Sequence, residues 1–177
     1  MTVVKVGGSL YDHPALGPGL RAYLRTIPGL KVLIPGGGAV ANAVRALDRV
    51  HSLGDVAAHW IALRSLAVTA DFLAHLVDGL ADVEVPDVYT FAAADDHSPD
   101  ALPHSWDVTS DSLAARMAKV RGASRLVLLK SVAIPPGTPW NVVAQHGGVD
   151  PHFPTLAQNA SFTIEAVDFR AWLDQHA

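Results

Sequence analysis

Lys5 stands inside an apolar run at 3–6, and that run breaks at Gly7-Gly8-Ser9. A second apolar run, 30–34, breaks at Pro35-Gly36-Gly37-Gly38, and a third, 126–129, ends on Lys130. Such residues at strand ends could hold an anion. Ammonium groups supply charge, and glycines let bare backbone N–H groups approach phosphate oxygens. Ordinary roles stay open beside this one. Gly7-Gly8-Ser9 could be a plain tight turn, and Lys130 a strand-end cation reaching for water. Three consecutive glycines are harder to assign to a turn, which needs only one, because each costs conformational entropy on folding. The helix expected after Gly38 adds partial positive charge at that point. Asp111, at the start of another expected helix, could cap it or aim nearby cations.

The choice of cation bears on this reading. Of thirteen basic residues only four are lysine: Lys5, Lys31, Lys119 and Lys130. Where arginine is the habitual cation, a lysine at a strand end fits a need for compact charge on a flexible stem.

Segments of two periodicities position these residues. Strand-like runs at 2–6, 30–34 and 124–130 alternate with helical patterns at 14–27, 39–50, 54–78 and 109–121. A fourth strand is expected at 81–85 and a last strand and helix at 161–164 and 167–175. The stretch 86–105, rich in Pro and Asp, reads as a surface excursion with a short strand at 88–91. The stretch 131–155 holds five of the twelve prolines and reads as irregular. Strand–loop–helix units in this order predict an α/β fold, a three-layer α/β/α sandwich with a mostly parallel sheet. Ligands of such sheets bind beyond the C-terminal strand ends, where 5–9, 35–39 and 107–112 would converge.

Composition bounds the rest. The 177 residues fit a single domain, 1–177, and the formal charge of −4 gives no footprint for nucleic acid. No uninterrupted apolar run reaches the roughly 18 residues of a membrane span. The strand-like start at Met1 leaves no room for a signal peptide, and the absence of Cys fits a cytoplasmic protein. The expected partners are a small molecule and a second copy of the chain, not nucleic acid or membrane. Neither glycine segment matches G-x-x-x-x-G-K-[ST] or G-x-G-x-x-G.

Together and in order, "VVKVGGSL", "IPGGGAVANAVR", "SWDVTSDSLAARMA" and "LVLLKSV" resemble the amino acid kinase family. That family includes acetylglutamate, aspartate and uridylate kinases. The short length and "SWDVTSDSLAA" are closest to its small subgroup resembling the aminomethylfuran-phosphate kinase of methanofuran biosynthesis. The resemblance covers most of the chain. It implies phosphoryl transfer from ATP, with Mg²⁺, to a small acidic or phosphorylated acceptor. By the same resemblance Lys5, Asp111 and Lys130 would be catalytic, with Asp111 orienting the lysines. Gly7, Gly8, Ser9, Thr109, Ser110 and Lys130 would hold the nucleotide. Gly36, Gly37, Gly38, His59 and Arg64 would face the acceptor, and the helix carrying His59 would serve as a dimer face. Relatives continue the third strand into an Asp-Gly that helps hold the nucleoside, but this chain reads "SVAIPPG". Nucleotide binding then depends on a rebuilt 131–137 segment with 135–140. A kinase fold without catalysis, binding an oxyanion or nucleotide or acting as an oligomer subunit, is the rival reading.

The nine histidines do not form an H-x-x-x-H or H-E-x-x-H pair, and no metal site is expected. His59 could equally be a packed core residue and Arg64 a surface salt partner. Trp60, Trp106, Trp140 and Trp172 are expected as core or interface anchors rather than stacking platforms.

Overall fold

The computed structural model describes residues 1–176. Five parallel strands form one sheet: β1 (Thr2–Val6), β2 (Lys31–Pro35), β3 (Val83–Glu84), β4 (Arg125–Lys130) and β5 (Thr163–Asp168). Their order is β3-β2-β1-β4-β5, so the chain reverses direction across the sheet between β1 and β4. Eight helices cover it: α1 (Leu16–Thr26), α2 (Gly38–His51), α3 (Asp55–Val77), α4 (Val88–Asp95), α5 (Ser110–Val120), α6 (Trp140–Gln145), α7 (Phe153–Gln158) and α8 (Phe169–His176). This is the expected α/β sandwich.

Alternation along the strands divides the core in two. Val4, Val6, Leu33, Val127 and Leu129 pack against α1, α8 and the second half of α3. Val3, Val32, Ile34, Leu126 and Leu128 pack on the other face, against α4, α5, α6, α7 and the first half of α3. Lys5 and Lys130 share the parity of this second set, so both side chains project toward the α5 face. Parity alone thus aims two cations from adjacent strands at one helix start.

α3 serves both clusters. His59, Leu63, Leu66, Ala70, Leu73 and Val77 are buried in a stripe spaced alternately by four and three residues. Ile61, Val68 and Phe72 stay exposed on its other side, and Val56 of α3 and Leu47 and Val50 of α2 are exposed as well. By length and composition α3 could span a membrane, with a mean hydropathy of 1.4 in its most apolar 18-residue window. Here it packs against α1, α2 and α4.

Three expectations need correction. Residues 88–91 begin helix α4, not a strand. Asp87 caps that helix, accepting from Tyr89 N at 3.0 Å and Thr90 Oγ1 at 2.6 Å, and Val88, Phe91 and Ala92 turn one face to the core. The 131–155 stretch is not irregular throughout, since it contains α6 and the start of α7. Its prolines flank helix starts: Pro139 precedes α6 and Pro154 lies in the first turn of α7, where no intrahelical N–H is required. The strand expected over 81–85 shrinks to two residues.

Candidate active site

Asp111 lies in the first turn of α5, buried, between the two lysines that the strand parity aims at it. Lys130 Nζ donates to Asp111 Oδ1 and Oδ2, each at 2.8 Å, and Lys5 Nζ lies 2.9 Å from Oδ1. The carboxylate therefore pairs two ammonium groups and does not cap its helix. Burial works to raise the Asp111 pKa, but Lys5 and Lys130 outweigh it and hold the carboxyl below its ordinary value. Burial, then Lys5, lowers Lys130 to about 8 despite the opposing pull of Asp111. With two ammonium groups and one carboxylate, the cluster carries one net positive charge while Lys130 is protonated.

The cap that Asp111 does not provide comes from a residue the sequence reading missed. Asp150 Oδ2 accepts from Thr109 N, Thr109 Oγ1 and Ser112 N, each at 2.9 Å. Its Oδ1 accepts from Ser112 Oγ at 2.5 Å and Phe153 N at 2.9 Å. One buried carboxylate thus satisfies the start of α5 and ties it to the start of α7. The signal was weak, because Asp150 lies 38 residues from Ser112 and no local pattern links them.

The two glycine corners meet. A Cβ added at Gly8 would lie 2.2 Å from Gly38 N, and one at Gly36 would lie 2.3 Å from Gly8 N. Backbone packs on backbone, and no other residue type fits there. Gly38 also adopts φ +54 at the start of α2, a conformation that favours glycine. Tyr11 braces the junction by donating from its hydroxyl to Gly36 O at 3.0 Å. Two of the expected phosphate donors are already used. Gly7 N donates to Leu129 O at 2.9 Å and Gly36 N to Val6 O at 2.8 Å, both extending the sheet pairing. Gly7 and Gly36 thus build the corners, while Gly8, Ser9, Gly37 and Gly38 border open space.

That space is a cavity of about 850 Å³ over the C-terminal strand edge. Lys5, Gly8, Gly38, His59, Thr109 and Ser110 all reach it, joining four of the expected segments. Arg64 does not. It lies outside, over the Tyr89 ring at 4.0 Å, with its guanidinium donating to Tyr89 Oη at 2.7 Å. The arginine that does line the cavity is Arg45 on α2, stacked on Trp106 at 4.5 Å. Trp106 is held by donation from its indole N–H to Asp48 Oδ2 at 2.7 Å, so it forms cavity wall and not a core anchor. Trp60, Trp140 and Trp172 do pack against the two cores. Arg45 and Trp106 were legible only as members of an amphipathic helix and a loop. On the opposite side, Ser9 Oγ and Ser131 Oγ lie 2.7 Å apart, joining the first glycine corner to the altered segment after β4.

No protein-family model matches the sequence. Over 98% of this chain and 96% of the other, the fold matches the crystal structure of uridylate kinase from Archaeoglobus fulgidus, with TM-score 0.66 and 12% identity. It also matches UMP kinase from Ureaplasma parvum, with TM-score 0.60 and 11% identity over 92% of this chain and 87% of that one. A Giardia carbamate kinase follows at TM-score 0.54 and 11% identity, covering 98% and 94%. This chain thus shares the fold of these kinases. A curated relative by sequence is the [5-(aminomethyl)furan-3-yl]methyl phosphate kinase of Methanocaldococcus jannaschii, 27% identical over 96% of this chain and 88% of that protein.

Proposed function

We propose that this protein is a small-molecule kinase that transfers the terminal phosphoryl group of ATP to an acceptor already bearing a phosphate. The observation that carries the reading is the Lys5–Asp111–Lys130 cluster beside the touching glycine corners. Phosphoryl transfer asks a protein for positioning and for stabilisation of spread negative charge, with little covalent chemistry. In the proposed reaction an acceptor phosphate oxygen attacks the γ-phosphorus as the bond to the β-bridging oxygen breaks. The products are a diphosphate and ADP. Lys5, inside the cavity, meets the transferring group. Lys130 stabilises charge on the nucleotide side, and Asp111 keeps both ammonium groups aimed. The N–H groups of Gly8 and Ser9 face the nucleotide phosphates, and Gly37 and Gly38, at the start of α2, face the acceptor.

The phosphate-bearing acceptor is supported by the names of the relatives, which specify a furan-methyl phosphate, uridylate and UMP. It is also supported by the cavity lining, where Arg45 and Lys5 supply positive charge. Mg²⁺ would arrive on the nucleotide. Asp111 is committed to two lysines, and among the described residues no three potential ligands cluster. The ion would therefore be held by phosphate oxygens and water, where it screens their charge. We place the activity in the cytoplasm and the chain in a homodimer formed by the exposed apolar sides of α2 and α3, where Val50 is 74% and Val68 59% exposed. Sedimentation of Val68→Glu as a monomer against a wild-type dimer checks that assembly.

The deciding experiment is ADP release from Mg-ATP with [5-(aminomethyl)furan-3-yl]methyl phosphate or UMP, in wild type and Lys5→Ala. Release that depends on both acceptor and Lys5 is expected. Retention of phosphate with no ADP release from any phosphate-bearing acceptor would favour a kinase-fold binding protein instead.

A further inference from the structure

Behind one wall of the cavity two imidazoles lie face to face. His59, buried on α3, stacks on His104 with ring centroids 5.0 Å apart and planes inclined by 27°. His104 Nε2 lies 2.6 Å from Asp96 Oδ1. Trp60 closes the edge of both rings, with centroid distances of 5.6 Å to His59 and 5.1 Å to His104. The neighbour of Asp96 is anchored, because Arg116 grips both oxygens of Asp95 at 2.6 Å. His59 reaches the cavity, whereas His104 and Asp96 stand behind it. A line of polarisable groups therefore runs from the cavity through two rings to a carboxylate.

We propose that His59, His104 and Asp96 form a proton-coupled anion subsite, which takes up a proton from solvent as a phosphate-bearing acceptor enters the cavity. This rests on reading the cavity as the acceptor site. Two stacked imidazolium rings would repel each other, so charge on one ring disfavours charge on the other. A dianion beside His59 supplies the missing attraction, and Asp96 stabilises the same proton from the far side through His104. His59 is the contact residue; His104 and Asp96 are positioning residues.

The surrounding charges are mostly committed. Lys5 pairs with Asp111, Asp12 with Arg170, and Asp95 with Arg116. Arg45, also lining the cavity, stacks on Trp106 and makes no ion pair among the described residues. Arg45 and the imidazole pair are thus left to answer an incoming anion. Burial, then the neighbouring His104, holds His59 below its ordinary pKa, so an anion entering beside it works against that bias and favours uptake of a proton there.

Histidine ring signals measured by NMR against pH test this directly, with sodium sulfate as a dianion that does not itself titrate near neutrality. Signals are assigned through His59→Gln and His104→Gln. Sulfate is expected to raise the apparent His59 pKa by about one unit, the smaller end of the range for a close opposite charge. Asp96→Asn should shrink that rise without abolishing sulfate binding. The proposal fails if saturating sulfate leaves His59 unmoved, if sulfate does not bind, or if Asp96→Asn leaves the rise intact. ADP release, assayed separately, reports on the kinase reading alone.

Discussion

Both carboxylate oxygens of Asp111 lie 2.8 Å from the Lys130 ammonium, and both residues are buried where β4 meets the start of α5. The lysine holds its proton less firmly than an exposed lysine does. Burial first, then Lys5, brings it to about 8. Catalysis that needs its charge should therefore fall as pH rises through about 8. Lys130→Arg keeps its charge at every accessible pH, and its rate profile should lack that falling limb. An unchanged limb in the variant would remove Lys130 from the assignment. Stability runs the other way. Between about 8 and the ordinary lysine value of 10.5 the unfolded chain binds a proton that the folded one does not, so this group makes folding more favourable as pH rises across that window.

Asp111→Asn should be costly in a different manner. It leaves two buried ammonium groups without a counter-charge, a loss of about 3–5 kcal/mol. The depressed Asp111 carboxyl adds stability above the ordinary carboxylate range, which disappears as pH falls through its folded value. Urea midpoints at pH 7 and in acid should show a large deficit for the variant at pH 7 and a smaller one in acid. A constant deficit across pH would deny the ion pairing.

Gly8→Ala should fail by geometry alone. The new methyl would stand 2.2 Å from the backbone nitrogen of Gly38, which no rotamer change can relieve. A loss of about 1–3 kcal/mol is expected for such overpacking, together with weaker nucleotide binding. Gly17→Ala is the control, since its methyl would meet only the end of the Leu76 side chain at 3.2 Å. Equal thermal shifts for the two would contradict the backbone contact.

How far the fold was legible follows from range. Strand ends, the glycine segments and the Asp111 helix start are local patterns, and they named Lys5, Asp111 and Lys130 as candidates. The touching of Gly8 and Gly38 is a tertiary fact, though two glycine segments at strand ends hinted at it. Asp150 was invisible because its partners are donors on a helix start far along the chain. Arg64 was preferred to Arg45 because resemblance pointed to α3, while the direction of a side chain on a helix depends on what packs beneath it. Helix α4 was misread because β-branched and aromatic residues at 88–91 favour strands, yet Asp87 capped them into a helix.

Asp150→Ala should lower stability by about 2–3 kcal/mol, the scale of hydrogen bonds to a charged group. Thr109→Ala removes one of five bonds to that carboxylate and should cost a fraction of it. Chemical denaturation ranks the two. Asp150→Asn, which keeps the shape and part of the accepting capacity, should fall between them.

Arg45→Ala and Arg64→Ala separate cavity from surface. The first should raise the acceptor KM at least several-fold, with a smaller effect on kcat. The second removes an exposed stack on Tyr89 and should leave both constants near wild type, with a stability change under about 1 kcal/mol. Matching KM values for the two variants would move the acceptor away from α2.

The contact between Gly8 and Gly38 fixes the spacing of the two glycine corners by main chain, independent of any side-chain conformer. Arg45, Trp106 and His59 line the same cavity through side chains and take no part in that main-chain contact. If the proposed transfer takes place there, evolution or an engineer can retune which molecule is accepted while leaving untouched the interval over which the phosphoryl group would travel.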